Sequence, residues 1–299
     1  MDDILSRPMP TRPLGRIPWQ ASVVGLGGVK WDTQLSEEGA TALIRRAIDL
    51  GVNVIDTAFN YGGGESERRM GVALQEGYRD RVFLCTKTMK RDRDNALRDI
   101  ETSLARLRTG TLDLVHVHGV DTEEEYQRIM APDSVLQAIG EMRDAGHIRY
   151  MGVSGHWVRH VLARLVREVA FDAVLLPAGV FNLAYRYSFV DSVLPIARER
   201  GMAVLGMKVF GAGRVKHAAA MEPYLRYSLQ QDIDCAIVGA DSIAQVEETI
   251  RVAKSDPAPL APAEVEALLP EALEITKSWD DLEFGWVSHY VEVGEAPPV

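Results

Sequence analysis

From about residue 21 to residue 254, short β-branched apolar runs alternate with longer stretches in which apolar side chains recur every three or four positions. The short runs suit strands and the longer periodicity suits helices, so their alternation predicts parallel strands joined by crossover helices. Eight runs read as strands: ASVVGLG, VNVIDTA, RVFLCTK, LDLVHVH, IRYMGVS, FDAVLLP, MAVLGMK and IDCAIVG. Each is bounded by glycine, proline or charged residues that punctuate the chain. Eight is the strand number that closes a (β/α)8 TIM barrel, and that α/β fold is the expectation.

The intervening segments carry helix signals. Ser36 can cap a helix that runs through Glu38 to Ile48, and Gly51 stops it before the next strand. Further helices are predicted near 66–76, 92–108, 132–145, 156–168, 189–200, 220–231 and 242–254. The proline-rich DPAPLAP at 256–262 then ends the barrel portion. The expected organisation is one domain over 1–299, with the barrel at 12–254 and an acidic tail at 255–299. Trp279, Phe284, Trp286 and Tyr290 in that tail suit either a cover over the barrel mouth or an anchor to its exterior. A doubly wound sheet is disfavoured, since it calls for a GxGxxG turn that Gly25, Gly27 and Gly28 do not space correctly. Gly62, Gly63 and Gly64 lack the Lys-Ser/Thr ending of a phosphate loop and read as a turn.

Charge changes the picture in one respect. The net charge of the 299 residues is −10, but residues 261–299 hold nine of the acids and a single lysine, so the barrel portion is nearly neutral. Neither part offers the basic surface that nucleic acid or an anionic membrane would need, and a small-molecule partner is expected instead. The acidic opening MDDILSRPMP is unlike a secretory leader, and no stretch is long and apolar enough for a bilayer span, so a cytoplasmic location is expected. Cys85 and Cys235 fall in strand-like apolar runs and read as buried thiols.

In a barrel of this kind the chemistry sits at the C-terminal strand ends. Asp56 ends the second run, Tyr61 lies in the loop after it, Lys87 ends the third run and His118 ends the fourth. Singly, each has a plain structural explanation: a helix cap, a packing aromatic, a solvated amine and a hydrogen-bonded core imidazole. Together they put an acid, a phenol, an amine and an imidazole on three consecutive strand ends. Carbonyl reduction needs a proton donor for the oxygen that gains charge as hydride reaches carbon. A tyrosine is a poor donor and a worse base near neutral pH, and an ammonium beside it favours the phenolate. Asp56 can hold that ammonium, and His118 can orient the substrate oxygen.

At these residues the sequence resembles the aldo-keto reductase family. The resemblance is carried, in the family's order, by GVNVIDTAFNYGGGESERRMG, VFLCTKT, LDLVHVHGVD and IRYMGVSGH. It implies that Asp56, Tyr61, Lys87 and His118 form the family's catalytic tetrad, with Tyr61 as general acid in reduction and general base in oxidation. It also implies a nicotinamide cofactor, NADP or NAD, with a small carbonyl or alcohol as substrate. Gly28, Asp56, Ser154, Met207 and the MKVFGAGR loop, with Lys208, Gly211, Gly213 and Arg214, are the implied cofactor contacts, together with Gln245 and Glu248.

The cofactor side departs from the family pattern. Gly155 and His156 stand where asparagine follows serine, Ala178 where glutamine is usual and Met207 where an aromatic ring is usual. His156 is the polar substitute on this reading. Gln245 replaces a frequent arginine, and Gly239 and Ala240 replace a frequent Lys-Ser pair, which leaves fewer cations for a 2′-phosphate. Two other readings stand beside this one: a slow or non-catalytic nicotinamide-binding sensor, and a metal-dependent hydrolase using the His116-Val117-His118 pair with His156 and Asp241. On the oxidoreductase reading no metal site is expected.

Overall fold

The computed structural model describes residues 4–28, 35–184, 188–215 and 218–277. The chain opens with β1 (Thr11–Leu14) and β2 (Ile17–Ser22), which form an antiparallel hairpin. There follow β3 (Val24–Gly27), α1 (Glu37–Asp49), β4 (Val54–Asp56), α2 (Glu65–Ala73), β5 (Phe83–Thr88), α3 (Arg93–Arg106) and β6 (Leu112–Val117). Next come α4 (Glu123–Met130), α5 (Val135–Asp144), β7 (Ile148–Ser154), α6 (Arg159–Glu168) and β8 (Ala173–Pro177). The rest are α7 (Phe181–Ala184), α8 (Phe189–Ser192), α9 (Leu194–Glu199), β9 (Ala203–Met207), α10 (Ala218–Leu229), β10 (Cys235–Gly239), α11 (Ile243–Lys254) and α12 (Pro262–Lys277).

Strands β3 to β10 are parallel and close into an eight-stranded barrel, with β10 pairing β3. All eight apolar runs read from the sequence form its staves. Their inward positions make the axial core: Val54, Phe83, Cys85, Leu114, Leu175, Leu205, Cys235 and Ile237 are all buried. The outward positions pack with the helices in a second, larger apolar layer.

The hairpin seals the N-terminal end of the barrel. Arg16 donates its backbone N–H to the carbonyl of Gly201, shortly before β9, and Asn53, just before β4, bonds to Ser22 and Gln20. Leu14, Ile17 and Ala21 join the axial core, and Trp19 lies 5.9 Å from Phe83, which in turn stacks on Tyr150 at 6.1 Å.

The first helix follows its sequence signal: the Ser36 side chain accepts from the Gly39 N–H, and Gly51 turns out of the helix at φ +101. Two helix expectations need correction. The single helix expected at 132–145 is preceded by another, α4, built on a Thr122/Glu125 capping box and stopped at Ala131 before Pro132. The helix expected at 189–200 is divided at Val193 into α8 and α9, with Pro195 in the first turn of the latter. The tail begins as an ordered helix: α12 packs on α7 and α10, and the Tyr224 hydroxyl hydrogen-bonds Glu271 at 2.8 Å. Trp279, Phe284, Trp286 and Tyr290 lie outside the described residues. No described helix is long and apolar enough to cross a membrane.

Candidate active site

Asp56 is the last residue of β4 and Lys87 the penultimate residue of β5, both inward-facing and buried. The Lys87 ammonium donates to Asp56 Oδ2 at 2.5 Å and to the Thr57 carbonyl at 2.6 Å. Burial works against the charge on Lys87, but Asp56 and Tyr61 more than offset it and hold the ammonium above its ordinary pKa.

Tyr61 reaches this pair from a tight turn. Gly62, Gly63 and Gly64 follow it with φ of 56, 62 and 95°, left-handed values that side-chain-bearing residues adopt only with strain. Arg106 braces the turn from α3: its guanidinium donates to the Phe59 carbonyl at 3.0 Å, pairs with Glu67 and lies 4.5 Å over the Phe59 ring. The result puts Lys87 Nζ 5.1 Å from the centre of the Tyr61 ring.

From the sequence, Lys87 is expected to lower the Tyr61 pKa. Lys87 does pull in that direction, but burial is larger and Asp56 adds to it, so the phenol stands above its ordinary value. The phenol is therefore protonated at neutral pH rather than a standing phenolate.

His118 follows β6 and sits edge-on to Tyr61, with ring centres 5.9 Å apart and planes at 77°. Burial and the neighbouring Lys87 push its pKa well down, so the ring is neutral, and its Nδ1 is buried without a partner. His156 lies beyond it at 5.6 Å, also neutral and with an unpartnered buried Nδ1. Trp157 follows at 6.4 Å from His156, and Lys208 Nζ rests 3.7 Å over the Trp157 ring. Asp56, Lys87, Tyr61, His118, His156, Trp157 and Lys208 thus form one continuous run of contacts.

Three residues of this region carried no sequence argument of their own. Asp121 accepts the backbone N–H groups of His156, Trp157 and Val158 at 3.0, 2.8 and 3.1 Å, which fixes the turn that presents His156. Arg91 donates to the carbonyls of His118 and Gly119 and to Glu125, which fixes the loop after β6. Trp157 supplies the face on which Lys208 rests. Asp121 was visible only as the last residue of the LDLVHVHGVD motif.

The remaining cofactor candidates are placed as follows. Gly28 spends its backbone groups on the barrel, with its N–H on the Asp56 carbonyl and its own carbonyl on Ser66. Ser154, at the end of β7, accepts the Gly119 N–H at 3.0 Å. Met207 ends β9 partly exposed, and Lys208 follows at φ +60. Gly211 and Gly213 form a single 3-10 turn with φ of 55 and 84°, and Arg214 follows. Gln245 and Glu248 stand on the first two turns of α11, where Gln245 accepts the Asp241 N–H and Glu248 pairs with Arg251.

The hydrolase reading needed His116 and His118 to meet His156 or Asp241 around one point. Among the described residues, the three donors that come within 4.8 Å of one another are instead Asp56, Cys85 and His116. His116 turns into the barrel beneath the tetrad and His118 toward Tyr61, so the pair does not work as one clamp.

A parallel eight-stranded barrel with an acid, amine, phenol and imidazole at adjacent strand ends defines a class of fold and site, and comparison with known proteins gives the family. The sequence model of the Aldo/keto reductase family matches residues 23–224, and the chain belongs to that family. It is similar to the aldo-keto reductase YhdN of Bacillus subtilis (strain 168), at 34% identity over 202 residues that cover 62% of this chain and 57% of that protein. It is also similar to L-galactose dehydrogenase of Arabidopsis thaliana, at 24% identity over 80% of this chain and 86% of that protein. Among solved structures, an aldo-keto reductase of Bacillus halodurans in its holo form superposes with a TM-score of 0.72 at 22% identity, covering 88% of this chain and 96% of that one. An aldo/keto reductase of Klebsiella pneumoniae, solved in complex with NADP and acetate, superposes with a TM-score of 0.70 at 23% identity, covering 88% and 95%.

Proposed function

We propose that this protein is an NADP-dependent oxidoreductase that interconverts a small carbonyl compound and its alcohol, with Tyr61 as the proton-transferring group. The observation that carries the reading is the buried ammonium-carboxylate couple of Lys87 and Asp56 beneath the Tyr61 ring, with neutral His118 edge-on to the same ring.

Buried polar atoms on the far side of His118 are consistent with a nicotinamide there. His156 offers an unpartnered Nδ1 and is influenced by Lys208, which follows the partly exposed Met207, at the positions where the family would place an amide and an aromatic ring. Ser154, His156 and Met207 would hold the nicotinamide. Lys208, Gly211, Gly213 and Arg214 would follow the pyrophosphate, with Gly28, Gln245 and Glu248 toward the rest of the dinucleotide. The NADP-bound relative supports NADP over NAD. When bound, the reduced nicotinamide supplies the hydride.

The protein's own groups then have separable tasks. His118, neutral and with a donor to spare, hydrogen-bonds the substrate oxygen. Tyr61 keeps its proton until that oxygen gains negative charge, then donates it. Lys87 stabilises the phenolate left behind, and Asp56 keeps Lys87 charged and aimed. In the reverse direction the phenolate accepts the alcohol proton, so oxidation speeds up as pH rises.

Tyr61→Phe tests this directly. Turnover of an aldehyde panel should fall by about 10²–10⁴-fold, while NADPH, followed by fluorescence titration alongside NADH, still binds as in wild type and more tightly than NADH. Wild-type turnover in Tyr61→Phe would remove the mechanism.

A further inference from the structure

Thr57 follows Asp56 directly, and both its backbone and its side chain are committed. Its N–H donates to the Cys85 carbonyl on β5 at 3.0 Å, and its own carbonyl accepts from the Lys87 ammonium at 2.6 Å. Its hydroxyl lies 2.8 Å from the Ser66 hydroxyl in the first turn of α2, which in turn lies 2.7 Å from the Gly28 carbonyl just after β3. Thr57 and Ser66 are wholly buried. The direction of the chain follows from counting hydrogens. A carbonyl only accepts, so Ser66 spends its single O–H on Gly28, and the Thr57 O–H donates to Ser66. The Gly28 N–H then donates to the Asp56 carbonyl at 2.8 Å, which closes the circuit on the residue beside Thr57.

From this circuit we infer that Thr57 is a positioning residue, whose hydroxyl, tied to Ser66, holds the Thr57 carbonyl in place as the second seat of the Lys87 ammonium beside Asp56. The inference rests on the acid-base role of Tyr61 proposed above. An ammonium has three donors. With one fixed on Asp56 Oδ2 and one on the Thr57 carbonyl, the direction of the third is set, and Lys87 pulls the Tyr61 pKa down by its charge and by a hydrogen bond. Around Lys87 and Tyr61 stand Asp56 on β4, Cys85 on β5, His116 and His118 from β6 and His156 after β7. On the α2–α3 side Glu67 pairs with Arg106. Burial and nearby ammonium groups keep the three imidazoles neutral, burial keeps the Cys85 thiol protonated, and Lys208, down at about 7, has already lost its charge above pH 8. What titrates there in the alkaline range is the coupled pair of Tyr61 and Lys87.

Without the Thr57 hydroxyl the carbonyl loses its side-chain tether, the ammonium is held less firmly and stabilises the phenolate less, so the Tyr61 pKa rises. The test is Thr57→Val, which keeps the side-chain shape and removes the donor, in the full-length protein with NADP bound. Expected is a kcat for alcohol oxidation roughly threefold to tenfold lower. The Tyr61 titration, followed from pH 8 to pH 11 by the phenol-carbon NMR resonance that Tyr61→Phe removes, should move upward by about half a pH unit. The NADPH Kd should not change, since the Ser66 bond to Gly28 survives. Thr57→Ser, which keeps the hydroxyl, should behave as wild type in both readouts. If Thr57→Val does not fold, Ser66→Ala, which takes away the acceptor of the same bond, should move the titration in the same direction.

An unmoved Tyr61 titration in Thr57→Val or Ser66→Ala overturns the inference, even where kcat falls. So does a displacement as large in Thr57→Ser as in Thr57→Val. Tyr61→Phe separates the two levels. If it is inactive while the Thr57→Val titration is unmoved, only this inference falls; if Tyr61→Phe is fully active, the acid-base reading falls first.

Discussion

At the scale of single residues, the candidate site depends on charges kept where solvent would normally quench them. Lys87 is held charged by Asp56, whereas at Lys208 burial outweighs the pull of Asp121 and pushes the amine down to about 7. This difference is testable. Below about pH 7 Lys208 is an ammonium that attracts the phosphates of a dinucleotide, and above it the attraction fades. NADPH affinity should therefore weaken as pH rises from 6 to 8.5, and Lys208→Met should bind more weakly and lose that part of the slope. A flat wild-type titration would exclude Lys208 from the binding site. The tetrad was legible because four chemically distinct side chains fell at predicted strand ends. The direction of the Tyr61 pKa was not, because it depends on how much solvent the folded loop excludes, which spacing along a chain does not record.

At the scale of elements, the packing of α2 against α3 decides where Tyr61 stands. Gly71 on α2 touches the end of α3 so closely that a Cβ would lie 2.2 Å from the Arg106 carbonyl oxygen. No side-chain rotation relieves a clash with backbone, so Gly71→Ala must push the helices apart, at about 1–3 kcal/mol. Its melting temperature should drop by several degrees, and because Arg106 also braces the Phe59–Tyr61 turn, kcat should drop with it. Unchanged calorimetry would show that the contact yields without cost. Strands were read more faithfully than helices for a physical reason. A barrel stave is buried on both faces and shows as an uninterrupted apolar run, whereas α4 rests on a local cap at Thr122 and Glu125, in a segment rich in acids that masked its short apolar face of Tyr126 and Ile129.

At the scale of the whole molecule, α12 is what the sequence left least legible, because proline at 262 and 270 and a run of acids look like a tail. The helix instead backs the turn at Gly211, with Ile275 and Phe181 both in van der Waals reach of that glycine. Ending the chain at residue 261 should therefore lower the melting temperature and loosen NADPH binding, while ending it at residue 277 should preserve both. Equal Kd values for the two truncations would detach α12 from the cofactor side. The opposite end of the barrel has a different bearing on kinetics. With Trp19, Phe83 and Tyr150 stoppered into its floor, the barrel is a cup rather than a pipe. A cup has one rim, so whichever of two reactants seats deeper must enter earlier and leave later, and the queue at that rim sets the sequence of exchange in every cycle.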